Sequence, residues 1–151
     1  MTQQELIGTL YAPLQPIARK LLDLCAKARL DVRIPQTGAI RTTSDNTLIY
    51  GKERFTLHYL GLALDVEPVL HVAPEDWKRA YNAWPWQLLQ EDLAVSAGFD
   101  RPQKWQLERD RPHNQCLFGV SESVLKSMWY ASNGNKEECW RYIDLHTGVK
   151  V

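Results

Sequence analysis

The pattern His58-x-x-Gly61-x-Ala63-x-Asp65, followed far downstream by Asp110-x-x-His113, constrains this chain more than any other feature. It offers two imidazoles and one carboxylate as ligands for a metal ion, with a second carboxylate beside the last of them. Three N/O ligands suit zinc with one coordination position left open, and a spare carboxylate is equipped to move protons. Chain geometry then limits the fold. In one straight strand His58 and Asp65 would stand about 23 Å apart on opposite faces, at roughly 3.3 Å per residue. In one helix they would share a face about 10 Å apart along the axis. The chain must therefore bend between them, and Gly61 is the residue free to take the required backbone angles.

Beyond that bend, Leu62-Ala63-Leu64-Asp65-Val66 alternates as a strand does. Leu62, Leu64 and Val66 point to one side, and Gly61, Ala63 and Asp65 to the other, so the carboxylate is expected to share its face with small neighbours that leave room for a metal and a substrate. Pro112 disfavours a helical conformation at Arg111. Asp110 and His113 are thus expected on an extended or turning segment that presents both side chains to one cleft.

At 151 residues the chain suits a single domain with a real core. Eighteen acids balance eighteen bases, so nothing global points to nucleic acid or an anionic membrane. Cys25, Cys116 and Cys139 are odd in number and widely spaced, with no zinc-ribbon or redox pairing, and read as buried free thiols of a reducing compartment. Met1-Thr2-Gln3-Gln4-Glu5 has no cationic start or apolar run of signal-peptide type, and no stretch approaches a membrane span. A cytoplasmic, monomeric protein without membrane insertion is expected.

Leu10, Leu14, Ile17, Leu21, Leu22 and Cys25 recur at helical spacing, with Pro13 and Pro16 where a helix start tolerates them, so a helix is expected to about Leu30. Val32, Ile34 and Ile40 suggest short strands around a turn near Gly38, and Ser44 or Asp45 is a candidate cap for a helix through Tyr50. Pro74-Glu75-Asp76 opens a helix carrying Trp77, Ala80 and Tyr81; another spans roughly Trp86 to Ala97 and ends at Gly98. Strands are expected around Trp105 and from His113 through Phe118, then helices near Ser121 to Tyr130 and Lys136 to Leu145, separated by a turn at Asn133-Gly134. The expected class is α+β, a small antiparallel sheet flanked by helices in one domain.

These residues also resemble a known family. Gly38-Ala39-Ile40-Arg41-Thr42, Leu48-Ile49-Tyr50-Gly51-Lys52, His58 to Val66, Trp105 and Asp110-Arg111-Pro112-His113-Asn114-Gln115 occur in the order found in the zinc D-alanyl-D-alanine carboxypeptidase and L-alanyl-D-glutamate endopeptidase family. The likeness is nearest to small single-domain bacteriophage endolysins and covers about Leu14 to Gln115. It implies zinc held by His58, Asp65 and His113, Asp110 as the acid/base, and Arg41 orienting substrate and stabilising the reacting carbonyl. Thr56 stands where serine is usual, Asn46 where glutamine is frequent and Asn114 where an aromatic is usual. The implied partner is the stem peptide of peptidoglycan, cut first at the L-alanyl–D-glutamate bond. The implied setting is a cytoplasmic enzyme released to the periplasmic wall at lysis. A catalytic domain over residues 1–118 and a helical extension over 119–151, packed on the same domain, are expected.

Other roles stand beside these. A D,D-carboxypeptidase or dipeptidase would share the zinc and Asp110, and a zinc-dependent wall-binding domain would keep the ligands without catalysis. Asp110 could instead orient a ligand histidine, and Arg41 could be a structural ion-pair partner. His71 and His146 read as ordinary surface or core histidines. Trp77, Trp84 and Trp86 read as core or groove-wall packing.

Overall fold

The computed structural model describes residues 1–147, so the last part of the expected 119–151 extension lies outside the described residues. The class is α+β, with helices packed around two small antiparallel pairs of strands.

The chain opens with α1 (Gln3–Gly8), capped by the Thr2 hydroxyl, and a 3₁₀ turn at Ala12–Leu14 leads into α2 (Gln15–Lys27). The proline-rich entry is where the sequence places it. The helix stops short of Leu30 because Arg29 takes a left-handed conformation with φ of 60°. Strand β1 (Val32–Arg33) follows. Ile34 and Ile40 are not in strands: Gly38 N–H donates to the Pro35 carbonyl at 2.8 Å, and this turn carries the chain away from any partner. The cap of α3 (Thr43–Tyr50) is Thr42, two residues before Ser44 and three before Asp45, and Asp45 closes the reciprocal bond to the Thr42 N–H.

Next come a 3₁₀ turn at Leu57–Leu60, β2 (Ala63–Asp65) and β3 (Glu67–Pro68). A 3₁₀ turn at Pro74–Asp76 opens α4 (Trp77–Ala83), and a π-helical stretch at Leu88–Leu93 runs into α5 (Ala94–Ala97), which ends at Gly98. Trp105 lies not in a strand but in α6 (Lys104–Arg109), because Gln103 and Gln106 form a reciprocal cap that starts a helix there. Strand β4 (His113–Gln115) is shorter than expected. Phe118 and Gly119, with φ of 51° and 80°, turn the chain into α7 (Glu122–Ala131). A left-handed Asn133-Gly134 turn then leads to α8 (Lys136–Thr147).

β1 pairs with β3, and β2 with β4, both antiparallel, so the single sheet expected from the sequence is divided in two. One core cluster joins Leu6, Ile7, Leu21 and Cys25 to Leu64, Val66, Leu89 and Ala94. The other joins Leu57, Tyr59, Leu60, Leu62 and Ala63 to Leu125, Cys139 and Ile143. β2 is thus sandwiched between two apolar masses. Ala63 is fully buried in the second of them, so it does not leave the open space beside Asp65 that simple alternation suggests. The three cysteines are free and buried. No helix among the described residues is long and apolar enough to cross a membrane.

Candidate metal centre

His58 is placed by a tightly bonded turn. The Thr56 hydroxyl accepts from His58 N–H at 3.3 Å, and the His58 carbonyl accepts from Arg41 N–H at 3.1 Å and Gly61 N–H at 3.3 Å. Gly61 bends the chain with φ of 64°, and a Cβ there would sit 2.8 Å from the Tyr11 backbone nitrogen. No side chain fits, so the bend expected from spacing is made by the residue expected to make it. The bend delivers Asp65 to the end of β2, where its cross-strand partner is His113. Directly opposed residues in an antiparallel pair share a face, so strand register alone brings these two side chains together.

His58 Nε2 lies 3.1 Å from Asp65 Oδ1, and His113 Nδ1 lies 3.7 Å from the same oxygen. All three donor atoms fall within 4.8 Å of one another. Ligands at about 2.1 Å from one zinc ion lie up to about 4.2 Å apart, so a small contraction gathers them around it. Hydrogen bonding on the far side of each ring agrees. The Nδ1–H of His58 donates to the Ala39 carbonyl at 2.8 Å, which turns Nε2 toward Asp65, and the Nε2–H of His113 donates to Gln115 Oε1 at 2.8 Å, which turns Nδ1 toward the same carboxylate. Such outward hydrogen bonds are how ligand histidines are held in one tautomer. The three residues can hold a metal ion.

Burial, and then the neighbouring His58, push the His113 pKa down to about 4, so the ring is neutral and its lone pair available near pH 7. Burial alone would raise Asp65, but His58, His113 and Arg41 outweigh it and hold the carboxyl below its usual value. Asp110 goes the other way, pushed up to about 6 by burial and then by the charge of Asp65. It caps α6, keeps part of its side chain in solvent, and sets Oδ2 3.7 Å from His113 Nδ1. The turning segment expected around Pro112 is present: His113 N–H closes it onto the Asp110 carbonyl at 3.1 Å.

Arg41 is buried and well tied: Nη2 donates to Asp65 Oδ2 at 3.1 Å, Nε to the Thr37 carbonyl at 3.1 Å and Nη1 to Asn46 Oδ1 at 3.5 Å. Asn46, noted in the sequence only as a departure from a family pattern, also donates to the Arg54 carbonyl at 2.6 Å and so locks α3 to the segment before His58. His58, Asp65, His113, Asp110, Arg41 and Gln115 line a cleft of about 410 Å³, with Tyr50, Phe55 and Trp105 as aromatic wall and Arg54, Glu122 and Lys126 as charged rim. Gln115, Arg54, Glu122 and Lys126 were not singled out from the sequence. Gln115 could have been: it lies two residues from His113, on the same face of β4 and opposite the small Ala63.

The remaining histidines are elsewhere. His71 pairs with Asp31 at 2.7 Å on the surface, and His146 stacks on Tyr142 at 3.9 Å between ring centroids. Trp86 is buried, while Trp77 is half exposed and stacks on Tyr81. Comparison of the chain with protein-family models, with curated proteins and with solved structures finds no match.

Proposed function

We propose that the protein is a zinc-dependent peptidase that hydrolyses the stem peptide of bacterial peptidoglycan, first at the L-alanyl–D-glutamate bond, in the manner of a bacteriophage endolysin. The observation that carries this reading is the convergence of two imidazole nitrogens and one carboxylate oxygen at a cleft that also holds Asp110. The choice of substrate rests on the sequence resemblance described above.

Zinc, when bound by His58, Asp65 and His113, supplies Lewis-acid polarisation of the scissile carbonyl. The chain's own groups do the rest. Asp110, whose carboxyl lies beside the three converging donors, accepts a proton from the attacking water and returns one to the leaving amide nitrogen. Arg41 fixes Asp65 through Oδ2 so that Oδ1 stays turned toward the two imidazoles, and its charge favours the oxyanion as it develops. No serine or cysteine nucleophile is required, and the three thiols are buried. In this reading the enzyme is a monomer held in the cytoplasm until lysis and then acts on the periplasmic wall.

The test is mass spectrometry of Gram-negative sacculi digested by zinc-loaded protein, with Asp110→Ala as control. New L-alanine C-termini paired with D-glutamate N-termini, absent from the control, are the expected result. Release of D-alanine alone would move the assignment to a carboxypeptidase. No product from zinc-loaded wild type would leave a binding domain.

A further inference from the structure

Three basic residues line the cleft, and they are not equivalent. Arg41 is buried and committed to Asp65, Thr37 and Asn46. Arg54 and Lys126 form no ion pair among the described residues, although both reach the cleft. Lys126 follows Glu122 by four positions on α7, the spacing at which a helix forms Glu–Lys pairs, yet these two do not pair. Arg54 lies over the Tyr50 ring at 4.7 Å, which supports its guanidinium on the wall without neutralising it. Its charge also acts on Asp110, so it is within electrostatic reach of the metal end.

We propose that Arg54 and Lys126 form a carboxylate-recognition subsite, selecting peptides in which a residue next to the scissile bond carries a free carboxylate. This rests on the peptidase reading above. Two cations from separate parts of the chain flank an aromatic-walled cleft, and neither forms an ion pair among the described residues. A ligand carboxylate pairs with them, and a guanidinium binds it through paired N–H groups. Glu122, on the same rim, disfavours a carboxylate placed beside it. A γ-linked D-glutamyl residue has this chemistry, because its α-carboxylate stays free when its side chain carries the peptide.

The test compares N-acetyl-L-alanyl-γ-linked D-glutamyl-L-lysine with its glutamyl α-carboxamide, which removes one charge at nearly constant shape. Binding is measured by calorimetry on zinc-loaded protein carrying Asp110→Asn, so that neither probe is consumed. The carboxylate is expected to bind about tenfold tighter than the amide. That preference is expected to fall toward unity in Arg54→Gln and Lys126→Gln, and to weaken with salt. Equal binding of the two probes, no binding of either, or an undiminished preference in both variants would overturn the subsite. Turnover by wild type separates the two ideas. Preference without hydrolysis would retain the subsite and remove the peptidase, whereas hydrolysis of both peptides at equal kcat/KM with equal binding would do the reverse.

Discussion

Gln115 holds the Nε2–H of His113 and the Ala39 carbonyl holds the Nδ1–H of His58, so the two rings offer opposite nitrogens to one point. Replacing Gln115 by leucine frees the His113 ring to turn and leaves a buried N–H without an acceptor. Zinc affinity, measured by chelator competition, is expected to fall about 10- to 100-fold, and Gln115→Glu to restore most of it. An affinity unchanged in Gln115→Leu would show that packing alone orients the ring. Asp110→Ala should retain zinc while losing peptide hydrolysis, since Asp110 is not among the three converging donors. The cluster of His58, Asp65 and His113, which can hold a metal ion, could be read in the sequence, because imidazoles and carboxylates announce their chemistry and the spacing demanded a bend. The Ala39 carbonyl could not, since a main-chain oxygen has no residue signature. Arg54 and Lys126 were equally silent: an exposed cation looks the same in sequence whether it faces solvent or a cleft.

Among elements, the turn at Leu57–Leu60 and its exit at Gly61 bear the strictest demands. Gly61→Ala would force a side chain into left-handed backbone and against the Tyr11 nitrogen. A loss of about 2 kcal/mol or more is expected in urea unfolding, together with weaker zinc binding because His58 moves with the turn. The opposite side of this turn is covered by α7 and α8, where Leu125, Cys139 and Ile143 are fully buried and Trp140 Nε1–H donates to the Leu60 carbonyl at 2.6 Å. Ile143→Ala is therefore expected to cost about 2–5 kcal/mol; a loss below 1 kcal/mol would mean that α8 is only loosely attached. Helices with a clear apolar stripe or a Pro start were legible, as α2, α4 and α8 illustrate. Trp105 was not, because an aromatic residue favours strands and the deciding signal lay in two glutamines that cap α6. Ile40 misled for the reverse reason: a β-branched residue forms a strand only where a partner is available.

Taken whole, the molecule is two apolar clusters with the strand bearing Asp65 between them, a layout that rests on contacts distant in sequence and so escapes periodicity. Burial pushes the thiols of Cys25, Cys116 and Cys139 up from 9.0 to about 11, and Tyr59 is raised to about 12 by burial and then by Glu53. In the unfolded chain the thiols ionise first, so their contribution to stability is complete below about pH 9 and is lost as pH rises toward 11. The urea midpoint should therefore fall between about pH 8 and 10.5 under reducing conditions. An unchanged midpoint would show that the thiols ionise as freely when folded. Zinc should act in the other direction: free ion at about 100 times its dissociation constant adds about 2.7 kcal/mol, which chelation removes. Finally, the backing of the His58 turn comes from α7 and α8, which leave the ribosome after His58, Asp65 and His113 have all been made. A nascent chain displaying all three side chains still lacks the support that holds His58, so assembly of the cluster awaits synthesis of α7 and α8.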